Sequence, residues 1–443
     1  MSSVMRIIRT IGYKLGVSVL TILGASLVTH YLASVGDFGI YSTVKNTLLF
    51  GSFYFIAFTR FFNYGMNRLK LDRQSTVSVA VRFFLQISVA VVPLALIAFA
   101  LAGLSSIFLY AGFVFGTLFF VLLFGFCANL LQALNEIDWL NRVNVIQIAS
   151  FSVLIGILFV LDRTRHLPFS HQLIWTLSLW LFSNILAALI TVAITRRLAG
   201  VRFRPRRDPE ISRGMFAYGK KVALQNVLTQ LNYRGDAYMV IWLAGTTAAG
   251  LYSPAVTSSE VLWQISTSVA LIVYTRVAAH EKERSIELTE RTFRFTFWFL
   301  VVTAAAMYLL FSPLIHLIYG ARYAGSVPAF QVLLIGTTAY GMIGLLTQFF
   351  TDQMGKVTYP VYMQFTSIAV NLALCVILIP RIGMLGGAIG STSGYTVALI
   401  MSIIYFKRLT GRPLRHLFLF TANDRQLLSR LRPGSRSLNE SVK

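Results

Sequence analysis

The chain has 443 residues, of which 56% are hydrophobic and 12% charged, with a formal net charge of +23. Soluble domains carry about 25% charged residues, and the mean hydropathy here is +0.69, so an ordinary soluble enzyme is excluded and most of the chain belongs in lipid. Nucleic acid, the partner a strongly basic soluble protein would suggest, is excluded with it: in a membrane chain the cationic excess is topological and touches anionic lipid heads.

A spanning helix needs about 20 apolar residues. In chain order such runs lie near 11–34, 38–60, 77–101, 104–133, 143–161, 171–194, 215–243, 248–275, 293–312, 327–350, 358–379 and 384–406. The expected fold class is therefore an all-α polytopic membrane protein with about 12 transmembrane helices. Arg6 and Arg9 precede the first run, and no small-residue cleavage site stands out after them. That run is expected to be an uncleaved helix. Loop 195–214 holds Arg196, Arg197, Arg202, Arg204, Arg206, Arg207 and Arg213, and the tail holds Lys407, Arg408, Arg412, Arg415 and five further basic residues. The opposite connections hold only Arg163, Arg165, Arg322 and Arg381. The positive-inside rule then places both termini in the cytoplasm, which requires an even number of spans. Twelve satisfies it.

The tetrapeptide Gly39-Ile40-Tyr41-Ser42 in the second span returns in the eighth as Gly250-Leu251-Tyr252-Ser253, 211 residues later. Each copy is followed by a span ending in Thr-Arg, at Thr59-Arg60 and Thr275-Arg276. Gln132 and Arg142 are answered by Gln348 and Lys356 at nearly the same offset. A half-length repeat in so apolar a chain suggests two membrane bundles facing each other across a substrate site. The expected division is an N-terminal six-helix lobe over 1–200, a C-terminal six-helix lobe over 201–406 and a basic cytoplasmic tail over 407–443.

Catalysis has no visible machinery. The longest outward connection is near 312–326, which leaves no room for a soluble domain and argues against a membrane polymerase. Gly214-Met215-Phe216-Ala217-Tyr218-Gly219-Lys220 has P-loop spacing, but Lys221 stands where a Ser or Thr must meet magnesium, and the stretch opens an apolar helix. There is no HExxH, paired CxxC or G-x-S-x-G element, and the six histidines have no metal-ligand spacing. Cys127 and Cys375 both fall in apolar runs, which argues against a disulfide framework. No enzyme activity, metal or cofactor is expected.

What remains is the polar groups inside spans, which cost several kcal/mol in lipid, about 2.5–3.5 for Arg, Lys or Asp on insertion scales. In the seventh span Lys221, Gln225, Thr229, Asn232 and Asp236 fall in one arc at about 100° per residue. Lys220, Gln230 and Arg234 form a second stripe, with Asn226 beside it. The two lysines either snorkel to the headgroups or line a cavity, and Arg234 and Asp236 either pair or contribute to it. In the eighth span Ser253, Thr257, Glu260, Gln264, Ser268 and Thr275 share a face. Glu260 is either a proton or cation coupling site or a paired structural group. The second span turns Tyr41, Lys45, Ser52 and Thr59 to one side, and Arg60 and Arg276 either anchor or gate the matching cytoplasmic ends. These faces are mainly cationic, which asks for an anionic ligand: Arg suits phosphate by bidentate bonds and Lys as a point charge.

The chain resembles the Wzx-type polysaccharide transporter family of the multidrug/oligosaccharidyl-lipid/polysaccharide (MOP) exporter superfamily. The resemblance rests on Leu130-Leu131-Gln132-Ala133-Leu134-Asn135, on Asp236 followed by Gly250-Leu251-Tyr252-Ser253-Pro254-Ala255, and on Tyr274-Thr275-Arg276-Val277-Ala278. Ile318-Tyr319-Gly320 with Tyr323, and Pro380-Arg381-Ile382-Gly383-Met384-Leu385-Gly386-Gly387-Ala388-Ile389-Gly390, complete it. It implies two six-helix lobes that open alternately to either side of a bacterial inner membrane. It implies as cargo an oligosaccharide on undecaprenyl diphosphate, for O-antigen, capsule or exopolysaccharide synthesis, and as partners a polysaccharide polymerase and a chain-length regulator. Substrate-binding candidates are Lys45, Arg234, Lys220, Lys221, Gln225 and Asn232. Candidates for gating, or for coupling to protons or sodium, are Glu260, Asp236, Arg60 and Arg276. The rival functions are a cation-coupled drug antiporter of the same superfamily, which would prefer an acidic cavity, a membrane-embedded polymerase, and a non-transporting scaffold.

Overall fold

The computed structural model describes residues 3–165, 171–200, 202–263, 266, 282–354, 356, 358–420 and 424. Its long helices are α1 (Ser3–Tyr31), α2 (Val35–Thr59), α3 (Arg73–Ala100), α4 (Ser106–Ala133), α5 (Ile137–Arg165), α6 (Gln172–Ala199), α7 (Pro209–Ser259), α8 (Lys282–Ile318), α9 (Val327–Gln348), α10 (Thr358–Ile382) and α11 (Met384–Thr410). Among the described residues, the nine from α3 onward are long and apolar enough to cross a membrane.

Helix α7 is two helices. Gly245 interrupts it at φ 86° and ψ 178°, a conformation that suits a residue without a Cβ. The Tyr252 hydroxyl donates to the Asp236 carboxylate, although a continuous helix would set those residues about 24 Å apart at 1.5 Å per residue. The chain therefore doubles back at Gly245, and the two limbs of α7 are the seventh and eighth predicted spans. With α1 and α2, the helical segments among the described residues fall in the twelve predicted runs, the eighth as far as Trp263.

Helix starts follow the local chemistry. Ser34 caps α2 in a full capping box with Asp37, closing two orphan donors reciprocally. Asp72 caps α3 through the Ser75 amide at 2.8 Å, a bond that holds its carboxyl below the ordinary carboxylate value. That contribution is present above the unfolded carboxylate's pKa and is lost as pH falls through the folded one. At the far end of α4, Asn135 takes φ +62°, as Asn does readily at a helix exit.

The chain divides into two compact units, one of Met1–Ser253 with Leu314–Gly325 and one of Pro254–Pro313 with Ser326–Lys443. In the first, Phe61, Phe62, Val77, Phe126, Leu130 and Met215 form a core shared by α3, α4 and the start of α7. The arginine-rich stretch after α6 is pinned to this core. Gln74 exchanges two hydrogen bonds with the Arg202 backbone, at 2.7 and 2.9 Å. The Arg206 amide donates to Ser78 O at 3.2 Å. Phe203 points into the core against Phe126, while Arg202, Arg204, Arg206 and Arg207 stay exposed.

In the second unit the Gly-rich segment of the family resemblance becomes a helix-packing device. Gly386, Gly390 and Gly394 recur every fourth residue on α11 and face α10. A Cβ on Gly386 would stand 2.6 Å from Ile379 N, and one on Gly394 would stand 2.6 Å from Ser367 O. Small residues at this spacing let membrane helices approach closely. Gly386→Ala is expected to cost about 1–3 kcal/mol through overpacking. An unchanged thermal unfolding midpoint in detergent would reject that contact.

The second unit also holds the start of the tail. Asp424, 1% exposed, pairs with Arg291 Nε at 3.1 Å and with the Arg294 guanidinium at 2.5 Å. Arg294 also donates to His416 O, and Trp298 Nε1 donates to Phe418 O at 2.9 Å.

Candidate transport site

The first limb of α7 carries the predicted stripe, and its character changes along its length. Lys220, Lys221 and Gln225 are exposed, whereas Asn226, Gln230, Asn232 and Asp236 are buried and Arg234 is half-buried. The P-loop-like stretch is helical throughout, and Gly219 packs against the Phe58 ring, so it forms no phosphate cradle.

Asp236 is 3% exposed and Tyr252 1%. A buried carboxylate needs hydrogen-bond donors to offset its lost hydration, and Asp236 has them: Tyr252 OH on one oxygen and Ala237 N at 2.8 Å on the other. The sequence named Asp236 but not Tyr252 as its partner. The signal lay in the repeat, where the tyrosine stands seven residues past Gly245 and Asp236 nine before it.

Tyr41, Ser52 and Thr59 do share a side of α2, but that side is bundle interior. Tyr41 stacks on Phe151 and meets Trp180 edge-on. Ser52 is 2% exposed, and Thr59 accepts from Asn129 at 2.7 Å. Lys45 is half-buried near that side. Two residues on, Thr47 accepts from Tyr238 OH at 3.5 Å, and Tyr238 meets Phe50 edge-to-face. Tyr238, which the sequence did not single out, thus sets the part of α2 that bears Lys45 alongside the part of α7 that bears Arg234. Arg60 is exposed at the end of α2.

The repeated serines meet directly, Ser253 Oγ donating to Ser42 Oγ at 2.9 Å. Glu260 is half-buried and belongs to the second unit. Gln264, Ser268, Thr275 and Arg276 lie outside the described residues. Both cysteines are buried and neither is in a disulfide. Among the described residues, no group of three His, Cys, Asp or Glu is placed to hold a metal. The second unit also has an open apolar groove of about 630 Å³, lined by Phe297, Val301, Leu309, Leu334, Met342 and Leu399 among others.

Residues 172–328 match the family described as "Polysaccharide biosynthesis protein". An uncharacterized membrane protein of Methanocaldococcus jannaschii is 22% identical over 225 residues, 47% of this chain and 41% of that protein. The match thus spans less than half the length of that relative. Among solved structures, the lipid II flippase MurJ in an inward closed conformation superposes with a TM-score of 0.71 at 12% identity, over 93% of this chain and 89% of that one. An inward-facing multidrug resistance MATE family transporter of the MOP superfamily gives 0.68 at 13% identity, over 88% and 94%. The fold is the one that these two solved structures share. The all-α polytopic architecture expected from the sequence is the one found, and the polysaccharide-biosynthesis match falls on its middle, from α6 to the start of α9.

Proposed function

We propose that this MOP-type protein is a flippase in the bacterial inner membrane, moving an oligosaccharide on undecaprenyl diphosphate from the inner to the outer leaflet. Two six-helix lobes, 1–200 and 201–406, alternate access to a cationic site, with the tail 407–443 and both termini in the cytoplasm. The observation that carries this reading is the polarity of the first α7 limb. Its acid, Asp236, is buried under Tyr252, while Lys220 and Lys221 are exposed. Lys45 and Arg234 add two cations where Tyr238 joins α2 to α7. A diphosphate suits such a set, and Gln225 and Asn232 add groups for sugar hydroxyls. The apolar groove of the second unit offers a surface to an isoprenoid tail. The polysaccharide-biosynthesis match and the likeness to a lipid II flippase point the same way. O-antigen, capsule or exopolysaccharide synthesis would receive the product, with a polymerase and a chain-length regulator as downstream partners.

The likeness to MATE transporters supplies the competing function, cation-coupled drug export. Proteoliposomes decide between them. Translocation of undecaprenyl-diphosphate oligosaccharide without drug efflux is the expected result, and the reverse pattern removes the flippase reading. Coupling is assigned to a proton or sodium ion at Glu260. Glu260→Gln is expected to cut polymer export by about tenfold or more, the scale of losing one charged interaction, with expression intact. Export at the parental level would remove the coupling role.

A further inference from the structure

Cargo recognition does not require the two Gly-Ile/Leu-Tyr-Ser copies to touch, yet they are in backbone contact. A Cβ on Gly39 would strike the Thr246 carbonyl and stand 2.8 Å from Gly250 N. A Cβ on Gly250 would strike the Val35 carbonyl oxygen and stand 2.9 Å from its carbonyl carbon. Thr246 precedes Gly250 by four residues, and Val35 precedes Gly39 by four. Each glycine therefore lies on the carbonyl one turn ahead of the other, so the crossing is reciprocal. Three residues further on, Ser42 and Ser253 share their hydrogen bond.

A second element closes over the same place. On the turn Ala321–Ser326, Arg322 donates to Ala33 O at 3.1 Å and to Thr29 O, carbonyls at the end of α1 of the kind that lack intrahelical partners. Tyr323 meets Phe38 edge-on at 5.7 Å, and Gly325 sits against Leu251. One short loop thus touches the end of α1, the first turn of α2 and the second copy of the repeat.

We propose that this crossing is the outer gate of the transporter: α2 and the second limb of α7 close on Gly39 and Gly250, and the Arg322 loop straps them shut. The outer position follows the orientation that the basic loops imply, and the gate rests on the alternating-access reading above. The chemistry distinguishes what parts from what stays. The crossing is held by van der Waals contact, weak Cα–H···O contacts and one neutral hydroxyl pair, all separable without leaving a charge exposed to lipid. Asp236–Tyr252 involves a buried carboxylate within one hairpin, so the two limbs of α7 travel together.

The test is the pair Ser42→Cys/Ser253→Cys, for which Cys127 and Cys375 are buried and silent. Oxidant is expected to join the pair, to stop polymer export, and to lose that effect on reduction. Export that continues through the joined pair overturns the gate. Adding Gly39→Ala or Gly250→Ala is expected to slow joining by about tenfold or more, since the added methyl overpacks the closed contact. Joining at the parental rate in both overturns it as well. Thr47→Cys, further along α2 and exposed, reads opening without cargo. In vesicles lacking cargo, its labelling by an impermeant maleimide from outside is expected to fall about tenfold when the pair is joined, a shift of the open population. Labelling indifferent to joining overturns the gate. Protection without movement of any lipid-linked saccharide keeps the gate and removes the cargo reading.

Discussion

Arg294→Ala is expected to destabilise the protein by about 3 kcal/mol, the scale of breaking a buried ion pair from one side. Arg294 is 3% exposed and Asp424 1%, so neither charge is hydrated, and their 2.5 Å contact ties α8 to the tail. Removing the guanidinium leaves Asp424 with Arg291, whose side chain is 30% exposed, and leaves His416 O without its donor. Both losses act in the same direction. The thermal unfolding midpoint in detergent is the measurement, and a midpoint equal to the parent's would show that the tail is not anchored there. Replacing both partners, as Arg294→Met with Asp424→Leu, should recover most of the loss, because an apolar pair carries no desolvation cost.

The second large effect concerns cargo. Lys45→Ala and Arg234→Ala are each expected to weaken binding of a lipid-linked oligosaccharide by about 10- to 150-fold. That range converts about 1.5–3 kcal/mol for a hydrogen bond to a charged group. Arg234→Lys should fall between parent and alanine, since it keeps the charge but loses the planar fork that holds two phosphate oxygens. The unfolding midpoint of each variant separates lost contact from lost fold. Parental affinity in both alanine variants would end the cationic-site reading.

The spans were legible because lipid imposes one rule along the whole chain: apolar runs of helical length with satisfied backbones. The one-residue reversal at Gly245 was legible too, as the gap between the seventh and eighth runs. Side-chain placement was less so. Helical periodicity put Tyr41, Ser52 and Thr59 on one side of α2 correctly, but it could not say whether that side meets water or the Phe151 and Trp180 rings. The stripe on α7 was likewise correct in angle and silent on depth: Lys221 and Asp236 share an arc, yet one is exposed and the other sealed by Tyr252. A wheel records direction, and only the neighbours decide environment. Arg322 was legible only as a charge on an outward connection, because its partners are backbone carbonyls nearly three hundred residues away, which no side-chain pattern marks.

That long reach bears on how the protein is made. The turn between α1 and α2 forms early in synthesis, with Ser34 and Asp37 capping its helix start from within. The carbonyls at the end of α1, by contrast, await a guanidinium that emerges only with residue 322. The first hairpin is thus inserted with one end finished and the other open. Completion of the earliest loop on one face depends on the last third of the chain, and a nascent chain stalled before that point should expose this turn to proteases that the full-length protein resists.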